Sequence, residues 1–482
     1  MPEYEAVIGL EVHVELATTT KLFCGCPNEF GSEPNTHVCP VCLGLPGSLP
    51  VLNRQVVDYA LRLGEAMHFD VPPESIFHRK NYFYPDMPKD YQISQYDLPI
   101  CVDGWMEIDD TRIRIERAHM EEDTGKTQHI GGGGRIHDAT HSLVDYNRAG
   151  VPLMEIVSQP DIRSADQARA YVSELRGVLQ AIGVSDVKME EGSMRVDANV
   201  SIRPVGTEAL GTKVEVKNMN SLRSLGRAID YEIARQIAAM ESGERIVQET
   251  RGWDEAAGVS EGMRSKEGSN DYRYFPEPDL VPVAPSDEMR AEARAAVPEL
   301  PADRRARLVT EWGIADQDAR VLVDNPLLAD YADAAVVAGA PGKDVANWCT
   351  GEILGFLNET GLSPEVLPLP PDGLAELIGL VTDGTLSRSL AKDVLDECLK
   401  EPKRPKQVVA ERGLAQVSDE GELAAIVDEV FAANADAVAE YRSGDEKVQK
   451  KKKGHLFGQV MQVTNRQANV ALLNRLLDER LS

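Results

Sequence analysis

At 482 residues the chain has room for about two to four domains, and its 42% apolar and 27% charged content is that of a globular protein with real cores. A net charge of −28 excludes a protein that wraps nucleic acid by charge alone. No run of about 18 apolar residues occurs and the start, Met1-Pro2-Glu3-Tyr4-Glu5, is acidic, which argues against a membrane span or a secretory leader. Seven cysteines without such a leader point to the reducing cytoplasm.

The first expected element is a strand over residues 6–16. Its alternation puts Glu11, His13 and Glu15 on one face and Ile8, Leu10, Val12, Val14 and Leu16 on the other. Ionisable groups in a row, backed by an apolar face, suit metal ligands or acid–base groups; a sheet with one wet face is the plain alternative. Cys24-Gly25-Cys26 and Cys39-Pro40-Val41-Cys42 follow. Two thiol pairs at this spacing, with Gly25, Pro27, Pro40 and Gly44 to turn the chain, predict a tetrahedral Zn²⁺ knuckle. Four protein sulfurs leave no open position, so that zinc is structural. His37 is a substitute ligand the set does not need. Cys101, Cys349 and Cys398 stand alone and read as buried small hydrophobes.

A strand over 111–117 precedes His119-Met120-Glu121-Glu122-Asp123, a block of carboxylates. Gly125-Lys126-Thr127 ends like a P-loop, but Met120 stands where the upstream glycine is required. The run Gly131 to Gly134 completes no dinucleotide fingerprint and reads as a hairpin tip. In the strand 152–157, Glu155 interrupts an apolar run and needs a partner, because an unpaired buried carboxylate is too costly. Ser164 and Gln167 form a capping box that opens a helix with an apolar face of Tyr171, Val172, Leu175, Val178, Leu179 and Ile182, ended by Gly183. Asp197 and Asn199 share a face of the strand 195–203. A strand over 212–217 and a helix from Leu222 to Met240, stopping near Gly243, come next. A hard cation with oxygen ligands would satisfy several of these carboxylates together, whereas each taken singly is more simply an ion pair with arginine.

After Pro276-Glu277-Pro278 and again at Pro298-Glu299-Leu300-Pro301 the chain turns Ala/Leu/Asp-rich with helical spacing, interrupted by the segment Pro364 to Pro371. The charged, Pro-containing stretch Glu401 to Lys406 marks a third boundary. Residues 405–482 carry 11 Lys+Arg against 12 Asp+Glu, a net of −1, which leaves −27 on the rest. A nearly neutral tail leaves room for a local nucleic-acid patch, and Lys450 to Lys453 reads equally as a phosphate-contacting run or a solvated loop.

Several blocks, taken in order, resemble one family. They are Val7 to Glu15, His78-Arg79-Lys80-Asn81-Tyr82-Phe83-Tyr84-Pro85-Asp86, His119 to Asp123, Leu143 to Arg148, Val187 to Ser193, Lys217 to Ser221 and Asp271 to Pro276. Together they are similar to the B subunit of the bacterial-type glutamyl-/aspartyl-tRNA amidotransferase (GatB), over essentially the first 280 residues and more weakly to the end. The resemblance implies an α+β protein: a mixed β/α cradle-like catalytic domain with a zinc knuckle (1–292), a helical domain (293–404) and a small all-α, tRNA-contacting tail domain (405–482). Only about twenty residues separate Leu280 from Pro301, too few for the extra domain of the related archaeal E subunit.

The activity implied is ATP-dependent amidation of misacylated Glu-tRNA(Gln) or Asp-tRNA(Asn). The side-chain carboxylate is first phosphorylated and ammonia then displaces phosphate. Carried over by motif, the resemblance puts Glu11, His13, Glu122 and Glu155 around Mg²⁺, with Asp197 nearby and Lys80 at the mouth of the ammonia passage, paired with one of the glutamates. A cation is needed because a weakly nucleophilic carboxylate must approach a highly anionic nucleotide. Nothing resembles a Ser/Ser/Lys glutaminase site, so ammonia is expected from a partner amidase-type A subunit, with a small C subunit completing a heterotrimer. The tail departs from the family at Asn465 to Val470, where a Gly-rich segment is usual. Two readings compete: a non-catalytic, zinc-stabilised tRNA-binding scaffold, and a metal-dependent hydrolase built on His13.

Overall fold

The computed structural model describes residues 3–131, 139–263, 272–414, 420–443, 445–464 and 467–481. Gly132 to Gly134 of the glycine run, Asp271 and the Asn465-Arg466 pair lie outside them. The chain divides into two compact units, Met1–Ala302 and Asp303–Ser482.

The first unit is built on an eleven-stranded sheet. In chain order the strands are β1 (Tyr4–Glu15), β2 (Phe77–Asn81), β3 (Tyr91–Gln95), β4 (Cys101–Ile108) and β5 (Thr111–Glu122). A separate hairpin, β6 (Lys126–Ile130) and β7 (His141–Asp145), intervenes. The sheet resumes with β8 (Pro152–Ser158), β9 (Met194–Pro204), β10 (Val214–Met219), β11 (Thr250–Asp254), β12 (Val259–Gly262) and β13 (Phe275–Pro276). The order across the sheet is β12-β11-β10-β9-β1-β8-β5-β3-β2-β13, with β4 beside β5. Only the β10–β11 pairing is parallel among the described strands.

β1 sits at the centre because its two faces are so different. Ile8, Leu10, Val12 and Val14 are buried, and they join one core with residues of α1 (Arg54–Ala66), α2 (Ala165–Ala181) and α3 (Leu222–Ser242). A fourth helix, α4 (Asp287–Ala296), packs on α1. Helices thus cover one face of the sheet and leave the other to polar side chains. Ser164 caps α2 as expected, although Gln167 reaches the amide before the cap instead of the cap's own, and α3 stops at the expected Gly243. Ser164 Oγ accepts from Gln167 N at 3.1 Å, while Gln167 Oε1 accepts from Arg163 N at 2.8 Å. Ser221 caps α3, and Gly243 closes it at φ +79°.

The second unit is helical. Its first apolar cluster is made by α5 (Pro301–Trp312), α6 (Asp316–Val323), α7 (Pro326–Val337), α8 (Gly342–Trp348), α9 (Leu354–Thr360), α10 (Pro371–Thr382), α11 (Arg388–Lys400) and α12 (Pro405–Arg412). The proline segment is a single 3₁₀ turn at Pro364–Val366 before α10 begins at Pro371. Arg404, in the charged stretch before α12, donates to Asp372 at 2.8 Å, and Val408 and Val409 of α12 pack into this first cluster. A second cluster gathers Leu423, Val427, Leu456, Val460, Leu473 and Leu477 from α13 (Glu420–Ala433), α15 (Glu446–Val463) and α16 (Val470–Leu481), with α14 (Ala435–Ser443) between α13 and α15. No described helix is long and apolar enough to cross a membrane. Cys101, Cys349 and Cys398 are fully buried.

Candidate active site

Three neighbouring strands, β1, β8 and β5, bring the chemistry together on the polar face. Glu155 is the register partner of His13 on one side and of His119 on the other. His13 Nε2 lies 3.4 Å from Glu155 Oε2 and 3.8 Å from Glu121 Oε1. The donor atoms of His13, Glu121 and Glu155 all lie within 4.8 Å of one another, close enough to hold a single cation. Two carboxylates and one imidazole suit a small divalent ion that keeps several waters.

Glu122 does not join them. A register shift between Ile115 and Arg117 breaks the alternation of β5, so that the buried positions pass from Ile113 and Ile115 to Ala118 and Met120. From there His119 and Glu121 point to the polar face and Glu122 to the core side. Glu122 accepts from Ile93 N at 2.8 Å and pairs with Lys89, both groups buried, in a small pocket that also touches Cys24 and Cys42. The residue whose carboxylate reaches His13 is its neighbour, Glu121. The two-residue spacing of His119 and Glu121 is the sequence signal for it.

Charge compensation keeps these acids ionised. Burial works to raise the Glu155 pKa, but the charges of His119, His13 and Lys80 hold it well below the usual carboxylate range. Burial opposes ionisation of Glu121 too, and His119, Lys80 and His13 bring its pKa down. Lys80, on β2, has its ammonium 5.1 Å from the Tyr272 ring centroid. Its burial favours the neutral amine, yet Glu121, Tyr274 and Glu155 raise its pKa, so it is a fixed cation. His13 behaves likewise: burial lowers its pKa, and the hydrogen bond and charge of Glu155, helped by Glu121, raise it overall.

The polar face continues across β9 and β10. Glu11 Oε1 accepts from Asn199 Nδ2 at 2.8 Å, and its register partner Asp197 is paired with Lys217, which also lies 2.7 Å from Glu215. Glu11 and Asp197 therefore share the face with His13 but stand outside the three-residue cluster. Glu15 meets Asp123, and burial with the adjacent Asp123 charge pushes its carboxyl up to about 7. Asp123 is in turn held by Arg195 at 2.8 Å and Arg148 at 3.4 Å. Sequence reasoning misses Arg195 and Lys217, although Arg195 alternates with Asp197 along β9 and Lys217 with Glu215 along β10.

The four cysteines of the knuckle also converge. Cys24, Cys26, Cys39 and Cys42 present sulfurs within 4.8 Å of one another, and Cys39 Sγ lies 3.9 Å from Cys42 Sγ. A zinc tetrahedron with bonds of about 2.3 Å has edges of about 3.8 Å, so the set fits the ion. Cys39 N donates to Cys42 Sγ at 3.1 Å. The hydrogen bond from Cys24, with the Cys39 amide and the Lys21 charge, holds the Cys42 thiol down to about 5 against the effect of burial. Lys21 is wholly buried and donates to the carbonyls of His37 and Tyr146. The His37 backbone thus serves the knuckle's support, and its ring stands outside the sulfur cluster.

Known proteins share this pattern. Residues 6–291 match the model of the GatB/GatE catalytic domain, and residues 330–481 match that of the GatB domain. The B subunit of the aspartyl/glutamyl-tRNA(Asn/Gln) amidotransferase of Moorella thermoacetica is 53% identical, over 99% of this chain and 100% of that protein. The proteins of the same name from Thermosynechococcus vestitus and Caldanaerobacter subterraneus are 52% and 51% identical, over 99% and 100% of this chain and 97% and 100% of theirs. With both of its units covered by these models and end-to-end relatives half identical, the chain belongs to the GatB family of amidotransferase B subunits.

Proposed function

We propose that this chain is the amidating subunit of a glutamine-hydrolysing tRNA amidotransferase, acting on Glu-tRNA(Gln), Asp-tRNA(Asn) or both. The observation that carries the reading is the convergence of His13, Glu121 and Glu155 on the open face of the sheet, with Lys80 close enough to act on both acids. A scaffold that only binds RNA has no use for a buried and a half-buried carboxylate held ionised around an imidazole.

The reaction has two balanced steps. An oxygen of the substrate's side-chain carboxylate attacks the γ-phosphorus of ATP, forming an acyl phosphate and releasing ADP. Ammonia then adds to the acyl carbon, phosphate leaves, and a proton is lost to give the amide. Bound between His13, Glu121 and Glu155, Mg²⁺ would supply charge neutralisation for the phosphates. Glu11 and Asp197 extend the acidic row toward Lys217, a cation suited to anionic substrate groups. Lys80, held charged, orients the carboxylate or its phosphoryl group electrostatically and does not serve as the base for ammonia. The chain contributes no glutaminase chemistry, so ammonia comes from an amidase-type A subunit, with a small C subunit supporting the pair. The four-sulfur cluster holds structural Zn²⁺ and the tail domain engages the tRNA.

Amidation of misacylated tRNA with ATP and ammonium chloride tests this directly. His13→Ala and Glu121→Ala should lower the rate by about a hundredfold or more while tRNA affinity stays within about threefold. Undiminished amidation in both variants would overturn the site; retained amidation with lost tRNA binding would favour the scaffold reading.

A further inference from the structure

We infer that His119 is a positioning residue that holds the Glu155 and Glu121 carboxylates from the side opposite His13. This rests on the reading of that cluster as a cation site. Because β8 lies between β1 and β5, His13, Glu155 and His119 form one rung across three strands. His119 Nε2 lies 3.4 Å from Glu155 Oε2 and 3.8 Å from Glu121 Oε2. His13 Nε2 approaches the same Glu155 oxygen but the other Glu121 oxygen, Oε1. Each imidazole therefore lies beside a different oxygen of the Glu121 carboxylate.

Exposure separates the two histidines. The His13 side chain keeps 20% of its surface accessible, whereas that of His119 keeps 5%. His13 faces the space a ligand enters; His119 belongs to the floor. His119 Nδ1 is buried and has no hydrogen-bond partner among the described residues. Of the two ring nitrogens of His119, only Nε2 has acceptors beside it, the two carboxylates, so a proton on Nε2 is the one that meets them. An Nε2–H aimed at carboxylates is a donor and offers no lone pair to a metal. Consistently, the donor group that converges within 4.8 Å contains His13, Glu121 and Glu155 without His119. Groups that hydrogen-bond ligating carboxylates fix their orientation, and their loss weakens metal binding about 10- to 100-fold.

Mn²⁺ binding to the intact complex, followed by electron paramagnetic resonance, provides a test that does not need turnover. His119→Leu should weaken Mn²⁺ at least about tenfold. His119→Gln places an amide N–H near the position of Nε2 and should restore affinity to within about threefold of wild type, whereas His119→Asn, whose N–H falls near Nδ1, should behave like His119→Leu. In ammonia-dependent amidation, the Mg²⁺ concentration for half-maximal rate should rise in parallel, with kcat at saturating Mg²⁺ changing less. The Gln–Asn contrast decides the matter even if the leucine variant does not fold. Equal Mn²⁺ affinity for the Gln and Asn variants, or wild-type affinity for His119→Leu, overturns the role of His119. If His13→Ala also binds Mn²⁺ like wild type, the cation site itself falls; if only the His119 variants are silent, the cation site stands and this inference alone fails.

Discussion

Glu121 and Glu122 are adjacent and chemically identical, yet they do unrelated work. One carboxylate faces His13 and Lys80 across an open polar face; the other is locked to Lys89 and the Ile93 amide on the core side. Removing one partner of a buried ion pair leaves an uncompensated charge, at a cost of about 3–5 kcal/mol. Glu122→Gln should accordingly lower the unfolding free energy of the first unit by about 3 kcal/mol, read as a reduced denaturant midpoint, because it strands the Lys89 ammonium. A Glu122→Gln protein as stable as wild type would contradict that assignment. Glu121→Gln still leaves Lys80 and His13 a second carboxylate, Glu155, and should cost less stability than activity.

At the scale of elements, the bulge in β5 and the cysteine loops make the site. The bulge turns a strand whose first half buries Ile113 and Ile115 into one whose second half offers His119 and Glu121 to the polar face. The knuckle, spanning Cys24 to Cys42, packs behind the same strand, where Cys24 and Cys42 line the pocket shared by Lys89 and Glu122. A Zn²⁺ held by its four sulfurs would tie the two loops together and contribute to folding. Extraction of metal with a strong chelator should therefore lower the melting temperature by several degrees, on the order of the 2–4 °C per kcal/mol expected for a unit of this size, and added Zn²⁺ should reverse it. Protein purified without chelator and found to hold no zinc would count against the knuckle as a metal site.

At the scale of the whole molecule, an acidic body is joined to a nearly neutral helical tail. Lys450 and Lys451 are exposed on α15, while Lys452 and Lys453 are drawn to Glu440 and Asp478. If the tail meets the tRNA backbone through the two exposed lysines, Lys450→Glu/Lys451→Glu should weaken tRNA binding several-fold at about 0.1 M salt and reduce the slope of log affinity against log salt by about one to two. An unchanged slope would show that the run is only a solvated face.

Much of this architecture is legible in the order of residues alone, and the particulars show why. The alternation of β1, the Ser164 cap of α2, the glycine that ends α3 and the cysteine spacing are local patterns, each set by dihedral and hydrogen-bond preferences of residues a few positions apart. They yield β1, α2, α3, the polar strand face and the cysteine set directly from the chain, whereas α1, α4 and the short strands such as β2 and β3 carry no comparable local pattern. Which carboxylate joins His13 is a different kind of question. It depends on a one-residue register shift in β5, and β5 reaches β1 only through β8, a strand more than thirty residues further along the chain. The partners of Glu15, Glu122 and Asp197 likewise come from distant segments, at Asp123, Lys89 and Lys217. Residue order therefore suffices for the strongly patterned elements, the cysteine set and the family, because those rest on short-range patterns. That Glu121 and not Glu122 meets His13 is settled only in the folded sheet, because a side chain's face is set by strand register, and register is fixed by the packing of the whole sheet.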